Sequence, residues 1–328
     1  MRSWRGCLDA AGVRGDAART DFSAAGRFFR RREFVSWGAV RLVAPPESQP
    51  HAMAAVALVC YTDDICDRGP VEERARRFEE WAGHVRNALD TGQSKHRLLR
   101  AYLHSAGLLN LSRTWLDSYM AGIRIDPEFP GFPQEADCQR YIETVTLPAL
   151  VLCTAAVPRL VPEQVFSSSC RLLADGTQRA DFLTDLFEDL RDGRLFLPVA
   201  DLERHGVTRT DLLEGRDTPG VRALLSATEK SARVSIVESE RILGQVPPGY
   251  RPILRFLIGL YLSRLDDVVA LGAAATRRPC RDRPVASVSL LLRSLCAGGD
   301  TGPVARPTGR NRGRARRGQE HAAADPGR

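Results

Sequence analysis

Two carboxylate-rich stretches, far apart in the chain and each closing an apolar run, limit what this sequence can fold into more than any other feature. In Gln178-Arg-Ala-Asp-Phe-Leu-Thr-Asp-Leu-Phe-Glu-Asp189 the acids Asp181, Asp185, Glu188 and Asp189 recur three and four apart. On a helix they share one face, and Leu183, Leu186, Phe187 and Leu190 supply the other. Like charges at that spacing destabilise an isolated helix by about 0.2–0.5 kcal/mol per pair. One such run alone reads as a solvated acidic face. A second run shifts the balance: Tyr61-Thr-Asp-Asp-Ile-Cys-Asp67 places Asp63 and Asp67 four apart, with Asp64 beside them. Two acidic helix ends backed by apolar residues suit a cavity that holds several divalent cations between opposed helices. Mg²⁺ takes one or two carboxylates and draws its remaining oxygens from substrate phosphates and water.

The rest of the chain reads as helices punctuated by Pro and Gly. One helical segment spans 28–43 and stops at Pro45-Pro46, and the next starts near Ser48-Gln-Pro50 and runs to the first acidic cluster. Further helices are expected over 71–89, 95–107, 111–124, 138–156 with a kink at Pro148, 162–192, 209–214, 219–243, 249–273 and 285–296. No strand-like alternation of useful length and no repeat is present, so the fold class is all-α. Residues 1–20 are polar and Gly/Ala-rich and are expected to be disordered. The folded domain is expected over 21–296, and the Gly/Arg/Pro-rich stretch 297–328 as a disordered basic tail.

That tail carries seven arginines against three acids, so it accounts for +4 of the net charge of +7 and leaves the body at +3. A body so close to neutral gives no reason to expect a nucleic-acid partner, and the tail has no aromatic residues to stack on bases. The eight cysteines form no C-x-x-C pair and no zinc-like spacing with histidine. They read as buried free thiols of a reducing compartment, which points to the cytoplasm. No apolar run reaches the roughly 18–20 residues that span a bilayer, and the first residues lack a secretory apolar core.

With these motifs in place the chain resembles the squalene/phytoene synthase family, the head-to-head branch of the trans-isoprenyl diphosphate synthases. Pro45-Pro-Glu followed by Asp63-Asp-Ile-Cys-Asp67 looks like the first aspartate motif of that family. Gln178 to Asp189, followed by Arg191-Asp-Gly-Arg194-Leu-Phe-Leu-Pro198, looks like its second motif and downstream signature. Tyr141, Asp126 and Tyr261 also fall where the family places a Tyr, an Asp and a Tyr. The resemblance covers roughly residues 20–296. It implies an isoprenoid synthase fold around a central cavity, in which Mg²⁺ ions on facing helices bind a prenyl diphosphate and help its C–O bond ionise away from water. Aromatic walls would then hold the allylic cation. The resemblance implies metal ligands Asp63, Asp67, Asp185 and Asp189 with Asp64 and Glu188 in support, diphosphate clamps Arg41, Arg191 and Arg194, and Tyr141 as acid/base or as a wall of the cation pocket.

The chain departs from the family pattern in several places. Cys60 stands where the family usually has Arg three residues before the first aspartate, Thr184 where Arg commonly precedes the second motif, and Asp181 where Asn is typical. Leu147 and Leu150 replace small residues after Tyr141, adding bulk where a second prenyl chain would lie. Three functions are therefore weighed. The first is Mg²⁺-dependent head-to-head condensation of two farnesyl or geranylgeranyl diphosphates, a prenyltransferase reaction. The second is a class I terpene cyclase acting on one prenyl diphosphate, favoured by the two leucines and the missing arginines. The third is a non-catalytic helper, which intact acidic clusters argue against. No glycine-rich dinucleotide fingerprint is present, and the family members that reduce their intermediate carry none either, so NADPH use stays open. A lipophilic product is compatible with peripheral association with a membrane face. Oligomeric state is not legible.

Overall fold

The computed structural model describes residues 2–280, 289–291 and 294. Among them the regular structure is helical, without strands. In chain order the helices are α1 (Trp4–Ala10), α2 (Asp16–Arg32), α3 (Phe34–Val43), α4 (Gln49–Asp67), α5 (Val71–Thr91), α6 (Arg97–Leu109), α7 (Thr114–Gly122) and α8 (Glu135–Tyr141). They continue with α9 (Leu147–Cys153), α10 (Glu163–Thr184), α11 (Leu186–Arg191), α12 (Val199–Arg204), α13 (Arg209–Leu213), α14 (Pro219–Glu238) and α15 (Arg251–Leu271). Their ends follow local chemistry. Pro50 sits in the first turn of α4, and Thr218 caps α14 by accepting from the Val221 N–H. Thr208 and Asp211 form a reciprocal capping box on α13.

Three expectations from the sequence are corrected. Residues 2–20 are folded, with α1 and the start of α2 in place, Cys7 buried, and Leu8 and Val13 buried in one cluster with Phe22, Ala54 and Ala57. The few apolar residues in this polar stretch fall where they meet α2 and α4, a long-range contact that composition does not reveal. The single helix expected over 28–43 is two, divided at Glu33 (φ −137°). The acidic run around Asp185 is not one helix either. α10 ends at Thr184 and α11 starts at Leu186, where the Thr184 hydroxyl donates back to the Asp181 carbonyl at 3.2 Å. The break spreads acids that a continuous helix would stack. The expected basic tail lies outside the described residues, as does most of the helix expected over 285–296.

The kink attributed to Pro148 arises one turn earlier. Ile142–Thr146 forms a π-turn in which the Leu147 N–H reaches the Ile142 carbonyl, and Pro148 then occupies an early position of α9, where its missing N–H costs little. The widened turn begins directly after Tyr141. In the packing, α4 lies against α2, α5, α6 and α9, while α10 lies against α9, α14 and α15. The short helix α9 is therefore wedged between the two helices that carry the acidic clusters. Leu147, Ala149 and Leu150 on it are only partly buried and pack against the main core. No helix among the described residues is long and apolar enough to cross a membrane.

Candidate active site

The first acidic cluster occupies the last turns of α4. The Tyr119 hydroxyl on α7 donates to Asp63 Oδ1 at 2.7 Å. Burial pushes the Asp63 carboxyl up to about 7 against that hydrogen bond, and the charges of Asp67 and Asp64 add to the rise while Arg32 opposes it. Asp64 is turned to two arginines: Arg32 Nε lies 3.1 Å and Arg68 Nε 3.0 Å from its Oδ1. Behind this cluster the Tyr141 hydroxyl donates to Asp126 Oδ2 at 2.9 Å. Burial holds Asp126 well above the usual carboxylate range despite that bond, with Asp63 and Asp67 adding to the effect. Its Oδ1 is buried with no hydrogen-bond partner.

The second cluster straddles the break between α10 and α11. Asp189 is buried, and burial pushes its carboxyl up to about 7; Arg194 pulls it down, whereas Asp185 and Asp67 push it further up. Asp185 is exposed at the break, and its carboxyl is raised by burial of its surroundings and by Glu188, which is itself exposed. One turn earlier, Asp181 accepts from the Tyr261 hydroxyl at 3.3 Å and from Arg264 at 3.4 Å, both on α15.

Arg194 joins the clusters. Gly193 (φ 75°) ends α11 in the left-handed region that glycine enters without penalty, and the chain turns back so that the Arg194 N–H meets the Asp189 carbonyl at 2.8 Å. Its guanidinium then donates to Asp67 and lies 3.1 Å from Asp189 Oδ1. It also sits 5.6 Å above the ring of Phe196. Phe196 belongs to an aromatic group with Phe129, Phe132, Tyr141 and Phe182, stacked on Phe129 at 4.1 Å and on Phe182 at 5.1 Å between centroids. The structure thus brings Asp63, Asp67, Asp189, Arg194, Tyr141 and the aromatic group together, with Asp64, Asp185 and Glu188 at the rim.

Two expected clamps stand elsewhere. Arg41 is buried and donates to Gln49, to Cys7 Sγ at 3.2 Å and to the Arg2 carbonyl at 2.9 Å, so it fastens α1 to α3 and α4. The folded N-terminus supplied partners that the sequence did not suggest. Arg191 is exposed, its guanidinium 5.5 Å over Phe187. Conversely, Arg32, Tyr119 and Arg264 reach the site without having been singled out. The position of Arg264, one turn after Tyr261 on the same helix face, was the available signal. Among the described residues no three acidic, His or Cys side chains converge closely enough to hold a metal ion by themselves.

A family profile for squalene/phytoene synthase matches residues 36–288. The chain belongs to the squalene/phytoene synthase family. It is accordingly an enzyme of the prenyltransferase type. It is 26% identical over 265 residues to a presqualene diphosphate synthase of Rhodopseudomonas palustris, covering 78% of this chain and 91% of that one. It is 28% identical over 236 residues to the bifunctional protein CrtB/UppS of Streptomyces coelicolor, covering 72% of this chain and 41% of that protein. The fold is similar to the crystal structure of a dehydrosqualene synthase, with a TM-score of 0.76 at 18% identity over 85% of this chain and 96% of the other.

Proposed function

We propose that this enzyme condenses two prenyl diphosphates head to head in a Mg²⁺-dependent reaction, with farnesyl diphosphate the first substrate to test and geranylgeranyl diphosphate the second. The observation that carries this reading is the Arg194 bridge, which sets Asp67 of the first acidic motif across from Asp189 of the second. The relatives whose length is most fully covered are named presqualene diphosphate synthases, which favours the farnesyl chain.

The donor set fits Mg²⁺. It consists of carboxylate oxygens only, and Asp63 and Asp189 are held high by burial and by neighbouring acids, a strain that a divalent cation relieves. Asp63, Asp67, Asp185 and Asp189 would hold the ions, with Asp64 and Glu188 in support and phosphate oxygens completing the coordination. Bound Mg²⁺ supplies charge neutralisation to the departing diphosphate.

In the first step the C1–O bond of one prenyl diphosphate breaks, and its electron pair leaves with the diphosphate. The remaining allylic cation lies against Phe129 and Phe182, whose quadrupoles favour positive charge, while stacking between these two rings takes up the faces of Phe196. The C2=C3 double bond of the second chain attacks it, and loss of one proton closes a cyclopropane ring, so each turnover releases one diphosphate and one proton. Tyr141 is placed to pass that proton on, since its hydroxyl already bonds Asp126, whose other oxygen has no partner. The partly buried Leu147 and Leu150 on α9 bound the space for the second chain.

Incubation with Mg²⁺ and each prenyl diphosphate, followed by mass analysis of extracts, tests the reading. A product of doubled carbon number is expected. A hydrocarbon or alcohol of unchanged carbon number would instead establish a terpene cyclase. Asp63→Asn and Asp185→Asn are each expected to lower Mg²⁺-dependent diphosphate release by about 10²-fold or more. Undiminished turnover in both would refute the ligand assignment.

A further inference from the structure

Passing on a proton requires the Tyr141 hydroxyl to stand at a fixed place beside Asp126. Tyr141 is the last residue of α8, a helix of only seven residues, and the π-turn Ile142–Thr146 follows it at once. So short a helix is not stable by itself, and its position has to be set by what surrounds it. The support comes from α10, which carries the second acidic cluster at its C-terminal end. Arg171, Asp175, Gln178 and Arg179 recur at helical spacing along one face of α10, and each of them bonds the segment around Tyr141. Arg171 donates to Glu143 Oε1 at 2.7 Å, Asp175 Oδ1 accepts from Gln139 Nε2 at 2.8 Å, and Gln178 Oε1 accepts from the Thr146 hydroxyl at 2.6 Å. Arg179 donates from Nη2 to Glu135 Oε1 and lies 3.4 Å from Oε2 through Nη1.

We propose that Arg179 is a positioning residue for the proton step: by tying Glu135 of α8 to Asp175 of α10 inside the protein, it fixes where Tyr141 presents its hydroxyl. The inference rests on the condensation reading above and on the role given there to Tyr141. Arg179 is the buried cation of the group, with 7% of its side chain exposed, and its Nε also bonds Asp175 Oδ1 at 3.0 Å. A fork shared between two carboxylates sets direction as well as distance. The Arg171–Glu143 pair is half exposed on both sides and contributes little by comparison.

Glu135 opens α8 and Tyr141 closes it, so a helix released at its first residue is displaced at its last. A shift of about 1 Å at a reacting group can cost about 10²-fold in rate. Removing Arg179 does not strand either acid. Asp175 keeps Gln139 and the Ser235 hydroxyl of α14 at 2.5 Å, and Glu135, with 44% of its side chain exposed, turns to water. A variant without Arg179 is therefore expected to fold.

The single-turnover rate at which the full chain forms a product of doubled carbon number from farnesyl diphosphate and Mg²⁺ tests this, with melting temperature and calorimetric affinity for pyrophosphate and Mg²⁺ measured alongside. Arg179→Met is expected to lower the rate about tenfold or more and to change pyrophosphate affinity by less than about twofold. Tyr141→Phe lowers the rate about 10²-fold or more. The double variant decides: if Arg179 acts through Tyr141, Arg179→Met with Tyr141→Phe is no slower than Tyr141→Phe alone. Two losses that multiply would mean that Arg179 serves the fold in general and would overturn the inference. Glu135→Ala removes the same bond from a half-exposed side chain and must show the same coupling, which covers an Arg179→Met protein that fails to fold. A pyrophosphate affinity that falls in step with the rate moves the effect to the acidic clusters and also overturns it. Wild-type rates in Arg179→Met and Glu135→Ala, or in Tyr141→Phe, overturn it as well and leave the condensation reading intact. A wild-type chain that makes no doubled product from farnesyl or geranylgeranyl diphosphate removes that reading, and this inference with it.

Discussion

The carboxyls of Asp63 and Asp189 set a pH dependence that an ordinary surface aspartate does not have. Burial raises both from 3.8 to about 7, so the folded, metal-free protein favours their protonated forms. A carboxyl raised on folding contributes stability that is present below its unfolded pKa and is lost as pH rises through the folded value. The melting temperature without Mg²⁺ is therefore expected to fall as pH rises from about 4, near the unfolded value, to about 7.5, just past the folded value, and Mg²⁺ with pyrophosphate is expected to reverse the fall. His51 acts in the opposite sense, because burial lowers its ring, so its contribution is lost as pH drops below 6.5 and opposes the carboxyls in the lower part of that window, leaving the fall clearest between about pH 6.5 and 7.5. A melting temperature that rises across the window in the metal-free protein would contradict this account. At the same scale the sequence made the acids legible through their three- and four-residue spacing. Tyr119, Arg32 and Arg264 were not legible, because each meets its acid from a helix distant in the chain.

At the scale of elements, the close approach of α10 and α14 depends on Gly176. A Cβ there would lie 2.8 Å from the Ala232 carbonyl oxygen and 2.8 Å from the Ile236 backbone nitrogen, closer than packed atoms tolerate. Gly176→Ala is expected to push the helices apart and lower unfolding stability by about 1–3 kcal/mol, read from the urea midpoint at constant m-value. The consequence reaches the site, since α10 ends at the second acidic cluster. An unchanged midpoint would show that α14 shifts without cost. Most helices were legible from apolar periodicity and from Pro and Gly stops, as for α4, α5 and α15. The division at Glu33, the break at Asp185 and the π-turn before Pro148 were not, because each serves tertiary packing more than local preference.

For the whole molecule, the N-terminal segment belongs to the folded body. Leu8 and Val13 are buried against α2 and α4, and the Arg41 hydrogen bonds to Cys7 and the Arg2 carbonyl disappear if the segment is removed. Deleting residues 1–15 is expected to lower stability by about 3 kcal/mol or more from lost apolar burial alone, visible as a depressed melting temperature. Equal melting temperatures for the full and shortened chains would return this segment to the frayed state its composition suggests. By itself the sequence determined the all-α class and two acidic motifs in order with their downstream Gly-Arg signature, because helical periodicity and short-range spacing are written in consecutive residues. Only the tertiary structure decided which charges meet: Arg194 between Asp67 and Asp189, Arg264 on Asp181, and Arg41 withdrawn to the N-terminus. Those pairings depend on where long-range packing sets each helix, and no local pattern encodes that.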